Sequence, residues 1–245
     1  MEKNLKNQQN KKRILILAAS SDIGVEVVKK YLDSGWEILA HYNKNKKKLA
    51  SIKNKNLRLF KLNLSNPVNV ENFLKKNNKF LRGIDSFISL TGFLKLSSYE
   101  NFSINDFYLH LNINYLANQL FIRKIIKHMK QKKWGRILTT SSIGTKFGGN
   151  KSTYLYSLSK HMNEFFPTIF KNLTEFDILT NCIQVGVTKT KIHKKDKKKI
   201  LGKRSKLIPI KRPAKPEEMA NYIYFIASEK NTYMTLQKIN IAGGE

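Results

Sequence analysis

The sequence predicts an α/β fold with a doubly wound, mainly parallel sheet and helices on both faces. Two observations lead to this prediction. Short apolar runs alternate with segments of helical periodicity along the whole chain, the pattern of repeated strand–helix–strand units, which build a parallel sheet covered on both faces. The length of 245 residues suits one such domain with a sizeable core.

The elements follow in order. The first unit, from Arg13 to Gly24, has the pattern of a strand, a tight turn of small residues and a helix, with Asp22 placed as the helix N-cap. The last predicted helix begins at Pro216 with two acidic residues, which suit its positive end. The apolar runs predict strands at 14–18, 36–40, 57–62, 84–90, 136–140, 178–185 and 236–241. Helical periodicity falls near 23–33, 67–76, 106–130, 153–172 and 216–228.

Composition sets the domain organisation and the expected compartment. We expect a flexible basic tail at 1–12 and a single domain at 13–245. The single cysteine, Cys182, excludes an internal disulfide and lies in an apolar run, so we expect a buried structural thiol and a reducing, cytoplasmic setting. The N-terminus has no apolar signal core, and no stretch approaches the ~18 apolar residues of a membrane span.

The formal net charge of +29 raises the question of a polyanionic partner. Lysine and asparagine are spread along the entire chain, as in 43–48 and 53–56, which favours a generally basic, solvated surface. Basic motifs interleaved with aromatic residues are absent, so we predict no specific nucleic-acid site.

Tyr156 and Lys160 form the most informative pair of residues. A four-residue step places both on one face of a helix, and a neighbouring cation favours the phenolate and lowers the pKa of a tyrosine. Such a pair can transfer protons. The strand that ends at Ser142 delivers hydroxyl groups, and Asn114 lies inside an amphipathic segment.

Together with the turn that ends at Gly24, these residues resemble the short-chain dehydrogenase/reductase family, from about Lys11 to Gly244. The resemblance is strongest to the 3-oxoacyl-(acyl-carrier-protein) reductase branch. It implies a Rossmann-type sheet whose crevice, at the switch in strand order, holds a nicotinamide cofactor. We expect no metal at the site.

By this resemblance, Tyr156 gives a proton to a carbonyl oxygen, Lys160 lowers the pKa of Tyr156 and binds the nicotinamide ribose, and Ser142 binds the same carbonyl oxygen. Asn114 would seat a water that relays protons to Lys160. Ser142 lies one residue further from Tyr156 than the commonest family spacing, so Ser141 is the alternative serine.

The resemblance also assigns the cofactor contacts, with departures from the family pattern. Ala18 and Asp22 stand where the family usually has glycine, and Asn63 replaces its usual adenine-contacting aspartate. Besides Tyr156 and Lys160, the implied cofactor-binding residues are Ala18, Ser20, Ser21, Asp22, Ile23, Gly24, Asn43, Lys44, Asn63, Leu64, Thr91, Gly92, Gly186, Val187 and Thr190.

The second predicted strand indicates which cofactor is used. An acidic residue at its end would bind the ribose hydroxyls of NAD and repel a 2′-phosphate. The chain has Asn43 and Lys44 there, and Ser20 and Ser21 in the turn, so NADP is favoured over NAD.

The family resemblance implies a mobile substrate lid at about 188–213 and a homo-oligomer, either a dimer or a tetramer. Nine of the basic residues in this lid cluster where they could attract an acidic substrate: Lys191, Lys194, Lys195, Lys197, Lys198, Lys199, Lys203, Arg204 and Lys206.

The predicted function is transfer of hydride between a nicotinamide cofactor, NADP rather than NAD, and a carbonyl or alcohol substrate. The substrate is a small molecule or is bound to an acyl carrier, such as a 3-oxoacyl thioester. Two alternatives stay open at this point. One is a sugar or polysaccharide-precursor dehydrogenase, suggested by the glycine-containing loop between Ser142 and Tyr156. The other is a non-catalytic basic binding protein on the same scaffold, suggested by the altered turn and the charge.

Overall fold

The structure, a computed structural model, describes residues 11–191 and 198–245. This part of the chain contains a seven-stranded sheet of order β3-β2-β1-β4-β5-β6-β7, in which all neighbouring strands are parallel. The strand order reverses between β1 and β4, so the predicted doubly wound sheet of the Rossmann type is confirmed. The strands are β1 (Arg13–Leu17), β2 (Glu37–Tyr42), β3 (Leu57–Lys61), β4 (Ser86–Ser89), β5 (Gly135–Ser142), β6 (Ile178–Val185) and β7 (Lys238–Ile241).

Helices connect the strands and cover both faces of the sheet. A π-helical turn, Asn112–Leu116, joins α5 to α6, so the predicted segment 106–130 is helical throughout but not regular. The helices are α1 (Asp22–Asp33), α2 (Lys47–Ala50), α3 (Pro67–Lys76), α4 (Asn78–Leu81), α5 (Ile104–Leu111), α6 (Ala117–Lys132), α7 (Tyr154–His161), α8 (Thr168–Asn172), α9 (Lys198–Leu207) and α10 (Pro216–Ile226).

The prediction of one continuous helix over 153–172 is wrong. Helix α7 ends at His161, a 3₁₀ turn spans Met162–Glu164, and Phe165 is extended with φ −83° and ψ 121°. Pro167 explains the break, because proline lacks a backbone N–H and disfavours helical geometry in the residue before it. The chain resumes as the separate helix α8.

Two apolar layers hold the helices against the sheet. On one face, α1 and α10 pack together through residues such as Val28 and Ile223, which are fully buried. On the other face, Phe121 and Ile125 of α6 pack with Phe87 of β4. Cys182 of β6 is buried as predicted, and burial raises the pKa of its thiol to about 11, which keeps the thiol protonated.

Lys12, at the end of the predicted tail, contacts the domain that follows it. Its carbonyl accepts a hydrogen bond from the Glu37 N–H at 2.9 Å, and its amine lies 4.5 Å from the centre of the Trp134 ring. The remainder of the predicted tail at 1–10 lies outside the described residues, as do Lys194, Lys195 and Lys197 of the predicted lid.

Candidate active site

A cavity of about 810 Å³ opens at the carboxyl ends of the central strands, where the strand order reverses. Residues of the predicted catalytic set and of the predicted cofactor-binding set line this one cavity. The predicted residues in its wall are Ala18, Ser20, Ser21, Asp22, Ile23, Thr91, Gly92, Ser141, Ser142, Tyr156, Lys160, Gly186, Val187 and Thr190.

The turn after β1 is held by a buried histidine from β2. Ala18 has a left-handed φ of 55°, which costs a residue with a Cβ about 1 kcal/mol. Its N–H donates to His41 Nδ1 at 3.0 Å, and His41 Nε2 lies 2.9 Å from the Leu62 carbonyl oxygen. These partners require the tautomer with the proton on Nε2. Burial lowers the pKa of His41 to about 4, although the Leu62 hydrogen bond opposes this shift.

The N-cap of α1 is Ser21, not Asp22 as predicted. The Ser21 hydroxyl accepts a hydrogen bond from the Gly24 N–H at 3.1 Å, and Asp22 is the first helical residue. A Cβ on Gly24 would lie 2.6 Å from the Ala19 carbonyl oxygen, so the close packing of turn and helix requires glycine. Gly24 therefore shapes the turn without lining the cavity.

Asp22 connects the turn to two other segments. Its carboxylate pairs with Lys48 Nζ at 2.6 Å and accepts a hydrogen bond from the Lys191 N–H at 2.7 Å. Burial acts to raise the pKa of Asp22, but the contacts with Lys48 and Lys191 outweigh it and lower the pKa. The turn therefore carries a negative charge that is balanced by an adjacent ammonium.

Lys160 is buried at the base of the cavity. Its Nζ donates to the Thr91 carbonyl oxygen at 2.7 Å and to Thr140 Oγ1 at 3.1 Å. An ammonium has three N–H donors, so one remains for a ligand after these contacts with the described residues. Burial lowers the pKa of Lys160 to about 8, against the opposing effect of Cys182.

Tyr156 and Ser142 lie together on the cavity wall. Burial raises the pKa of the Tyr156 phenol, and a hydrogen bond with the Ser142 side chain acts in the opposite direction. The expectation of a lowered Tyr156 pKa is therefore wrong for this structure, because loss of hydration outweighs the polar contacts. Ser142 Oγ also accepts a hydrogen bond from the Gly144 N–H at 3.2 Å.

The alternative serine, Ser141, has a different partner. Its hydroxyl donates to Glu164 Oε1, as does the hydroxyl of Thr145. Of the two serines, Ser142 is the one that interacts with the phenol of Tyr156. The assignment of Ser142 as the active-site serine stays a prediction, with Ser141 as its alternative.

Asn114 is fully buried in the π-helical turn beside the cavity. Its side-chain oxygen accepts from the Phe93 N–H at 2.7 Å, and its amide donates to the Phe93 carbonyl and to Ser159 Oγ, both at 2.9 Å. Its backbone carbonyl accepts from the amides of Asn118 and Asn163. Among the described residues these contacts leave one lone pair of the Asn114 side-chain oxygen for a water, and the water-seating role stays a prediction.

Besides Gly24, four predicted cofactor contacts lie outside the cavity wall. Asn43, Lys44 and Asn63 are exposed, and the Asn63 side chain accepts from the Ser65 N–H at 3.1 Å. Leu64 is buried in the apolar layer beside α3 and α6. On the opposite side, Gly186 approaches β7 so closely that a Cβ would lie 2.5 Å from Ala242 Cα.

Sequence reasoning missed His41, Glu164 and the amides of Asn118 and Asn163. Glu164 follows Lys160 by four residues, as Lys160 follows Tyr156. This spacing was the one feature of the sequence that could have pointed to Glu164. His41 contacts Ala18 and Leu62, which follow two other strands. These contacts join residues distant in sequence, so the spacing of residues along the chain could not predict them.

Comparisons with known proteins show the family to which the chain belongs. Residues 17–245 match the family model described as Enoyl-(Acyl carrier protein) reductase. The chain therefore belongs to this family of short-chain dehydrogenases/reductases, and the predicted likeness to the 3-oxoacyl-(acyl-carrier-protein) reductase branch is confirmed.

Individual relatives are distant but span most of the chain. The 3-oxoacyl-(acyl-carrier-protein) reductase FabG of Aquifex aeolicus is 27% identical over 75% of this chain and 74% of its own. The FabG of Rickettsia felis is 28% identical over 95% of this chain and 96% of its own. Among solved structures, the Agrobacterium tumefaciens 3-oxoacyl (acyl-carrier-protein) reductase with NADP bound has a TM-score of 0.85 at 17% identity, covering 96% of this chain and 94% of that chain.

Two further features of the described residues bear on the class of site. No group of three or more histidine, cysteine or acidic side chains in 11–191 and 198–245 is arranged to hold a metal ion. Within the same ranges, no helix has both the length and the apolar character needed to cross a bilayer.

Proposed function

We propose that the protein is an NADPH-dependent reductase that converts a carbonyl substrate to an alcohol. The observation that carries this proposal is the shared cavity: Tyr156, Ser142 and the buried Lys160 face the same space as the turn at the start of α1. Proton-transfer groups and an anion-binding helix end thus converge at one place.

The residues of the cavity fit a dinucleotide. The start of α1, a twelve-residue helix, offers backbone N–H groups and a positive dipole end to phosphate oxygens. Lys48 balances the charge of Asp22, which would otherwise oppose a phosphate. Thr91 and Gly92 continue the wall towards Lys160, whose remaining N–H suits a ribose hydroxyl.

A nicotinamide held in this cavity would supply the hydride for the carbonyl carbon. Tyr156 donates its phenolic proton to the carbonyl oxygen, which becomes the alcohol oxygen. The raised pKa of the phenol keeps that proton in place before reaction. Ser142 holds the carbonyl oxygen by a hydrogen bond, and the adjacent positive charge of Lys160 stabilises the phenolate that forms.

The proposed reaction is tested by removing a single oxygen. Tyr156→Phe should lower turnover by at least about 100-fold and leave NADPH affinity nearly unchanged, because the hydroxyl acts in proton transfer. The matched control is Tyr154→Phe, on the same helix, where the ring packs against Tyr99 and Phe102 and no lysine follows four residues later. Full turnover by Tyr156→Phe with a substrate whose chemistry limits the rate would refute the proposed site.

The preference for NADPH rests on the end of β2. No acidic side chain follows this strand, and Lys44 is exposed beyond it, so a 2′-phosphate would meet no negative charge there. Wild type should bind NADPH more tightly than NADH, and Lys44→Asp should reverse or remove the difference. Equal dissociation constants for the two cofactors in the wild type would contradict the assignment.

Within the branch that the chain resembles, we propose a substrate with an apolar chain, such as a 3-oxoacyl thioester. Apolar residues, including Leu94, Ile143 and Phe147, line the cavity near Tyr156, and an acyl chain fits such a wall better than a sugar does. Lys191 and Arg204 also line the cavity and add the positive charge that an acidic carrier protein would meet. NADPH oxidation measured with acyl thioesters, simple ketones, quinones and keto-sugars tests this choice.

We also propose that the chain forms a homo-oligomer. Large apolar side chains are exposed on the surface of α5 and the segment around α8, including Ile104, Tyr108, Phe165 and Ile169. Contact between copies would remove this apolar surface from water. Light scattering after size-exclusion chromatography should give a mass at least twice 28.4 kDa, and a monomer mass would contradict the proposal.

A further inference from the structure

Glu164 is a buried carboxylate directly beneath the strand that carries Ser142. Its side chain is only 4% exposed, although it carries a formal charge. Three groups donate to its Oε1: the hydroxyls of Ser141 and Thr145 at 2.5 and 2.6 Å, and Gln184 Nε2 at 2.9 Å. A buried carboxylate with this many donors is an organised site, because each of these groups would otherwise lose hydrogen bonds to water.

The other carboxylate oxygen lies near two side-chain nitrogens, one of them the ammonium of Lys238. His161 Nδ1 lies 3.2 Å and Lys238 Nζ 3.3 Å from Glu164 Oε2. Burial acts to raise the pKa of Glu164, but the hydrogen bonds from Ser141, Thr145 and Gln184 and the ion pair with Lys238 outweigh it and lower the pKa. The group is therefore a carboxylate at neutral pH and joins the ends of β5, β6 and β7.

These contacts enclose Ser142 on both sides. Ser141 precedes it, and the Thr145 hydroxyl, which lies within hydrogen-bond distance of Glu164, is also 2.7 Å from the Ser142 carbonyl oxygen. Without the carboxylate, the Ser141 hydroxyl would lose its acceptor and the Thr145 hydroxyl would lose one of its two, so the backbone on both sides of Ser142 would be less constrained.

We propose that Glu164 is a positioning residue that fixes Ser142 against the Tyr156 phenol. It acts through the backbone of Ser142 and does not touch the reacting groups itself. The inference rests on the proposed reductase function, because the position of Ser142 matters only if Ser142 binds the reacting oxygen. Small losses of geometry at a reacting oxygen cost large factors in rate.

The test is a double-mutant cycle on the full-length protein, with NADPH and a carbonyl substrate. Glu164→Gln should lower kcat about 10-fold or more and leave the NADPH dissociation constant within about two-fold of wild type. In a Ser142→Ala background, Glu164→Gln should cause almost no further loss, since the group it positions is already absent. Ser141→Ala keeps the Glu164 carboxylate and removes one of its donors, so kcat should fall by a smaller factor. This loss should also nearly disappear in the Ser142→Ala background, and the variant replaces Glu164→Gln in the cycle if that protein does not fold. Glu175→Gln, at an exposed carboxylate, is the control.

Two outcomes would overturn the inference. If Glu164→Gln lowered kcat by the same factor with and without Ser142, Glu164 would not act through Ser142. If Glu164→Gln kept wild-type kcat while Tyr156→Phe abolished turnover, the positioning role would be wrong and the proposed function would stand. Retained turnover in Tyr156→Phe is the separate result that would sink the function itself.

Discussion

His41 provides a quantitative test of how the turn after β1 is held. The ring is buried, accepts the Ala18 N–H at Nδ1 and faces the Leu62 carbonyl with Nε2, so only the neutral form satisfies both contacts. A proton on Nδ1 would remove the acceptor for Ala18. Lowering the pH should therefore destabilise the wild type through His41. The matched control is His41→Gln, whose side-chain amide does not titrate but can still accept a hydrogen bond.

The magnitude follows from linkage. The pKa falls from 6.5 in the unfolded chain to about 4 in the folded one, so the unfolded state binds more protons between these values and stability falls as pH falls. At 1.36 kcal/mol per pH unit, the full shift is worth about 3 kcal/mol, of which about 2 kcal/mol is lost between pH 7 and pH 5. Above pH 6.5 this term is constant.

The assay is urea unfolding of both proteins at pH 7, 6 and 5, where the difference in the free energy of unfolding isolates His41 from other titrating groups. Wild type should lose about 2 kcal/mol more than His41→Gln between pH 7 and pH 5. Parallel pH dependence of the two proteins would show that His41 is not held neutral and would refute the account of the turn.

Two further predictions concern the cavity. Asp22→Asn removes the negative charge beside the proposed phosphate site but keeps a hydrogen-bonding side chain. NADPH affinity, measured by fluorescence titration at low salt, should therefore rise by roughly 3- to 10-fold. A weaker complex would mean that the contacts of Asp22 with Lys48 and Lys191 matter more for binding than its charge. Lys160→Met should weaken NADPH binding and lower turnover together. In the oxidation direction, any remaining activity should need a higher pH than wild type, because the cation that stabilises the phenolate is gone. An unshifted pH profile of oxidation would contradict that role of Lys160.

The fold was predictable because the local pattern of the chain agrees with the global arrangement. The run 178–185 was predicted as a strand, and Ile178–Val185 is that strand; 67–76 was predicted as a helix, and Pro67–Lys76 is that helix. The errors came where one residue overrides a periodic pattern. Pro167 interrupts a helical period that continues through 153–172, and Ser21 takes the cap position because its hydroxyl reaches the Gly24 N–H.

The chemistry of the site was only partly predictable. Tyr156, Lys160 and Ser142 share the expected cavity, because helical spacing and strand ends determine where such side chains lie. The direction of the Tyr156 pKa shift was not predictable, since it depends on burial by residues distant in sequence. The hydrogen-bond donors around Glu164 were not predictable for the same reason, since they come from β5, β6 and the turn after β5.

The unusual residues of the turn after β1 have compensating partners within the same chain. Ala18 adopts the left-handed backbone that a glycine would take without strain, and His41 contributes an acceptor to its N–H, a buried contact worth about as much as the strain costs. Asp22 brings a charge to the helix end, and Lys48 lies 2.6 Å from it with the opposite charge. A turn that had merely lost a binding role would not need either partner, since a strand and a helix can be joined without left-handed strain or a buried histidine. The two compensations therefore support retention of the turn geometry for a ligand, and they locate the residues, His41 and Lys48, whose substitution should damage cofactor binding without touching Tyr156 or Lys160.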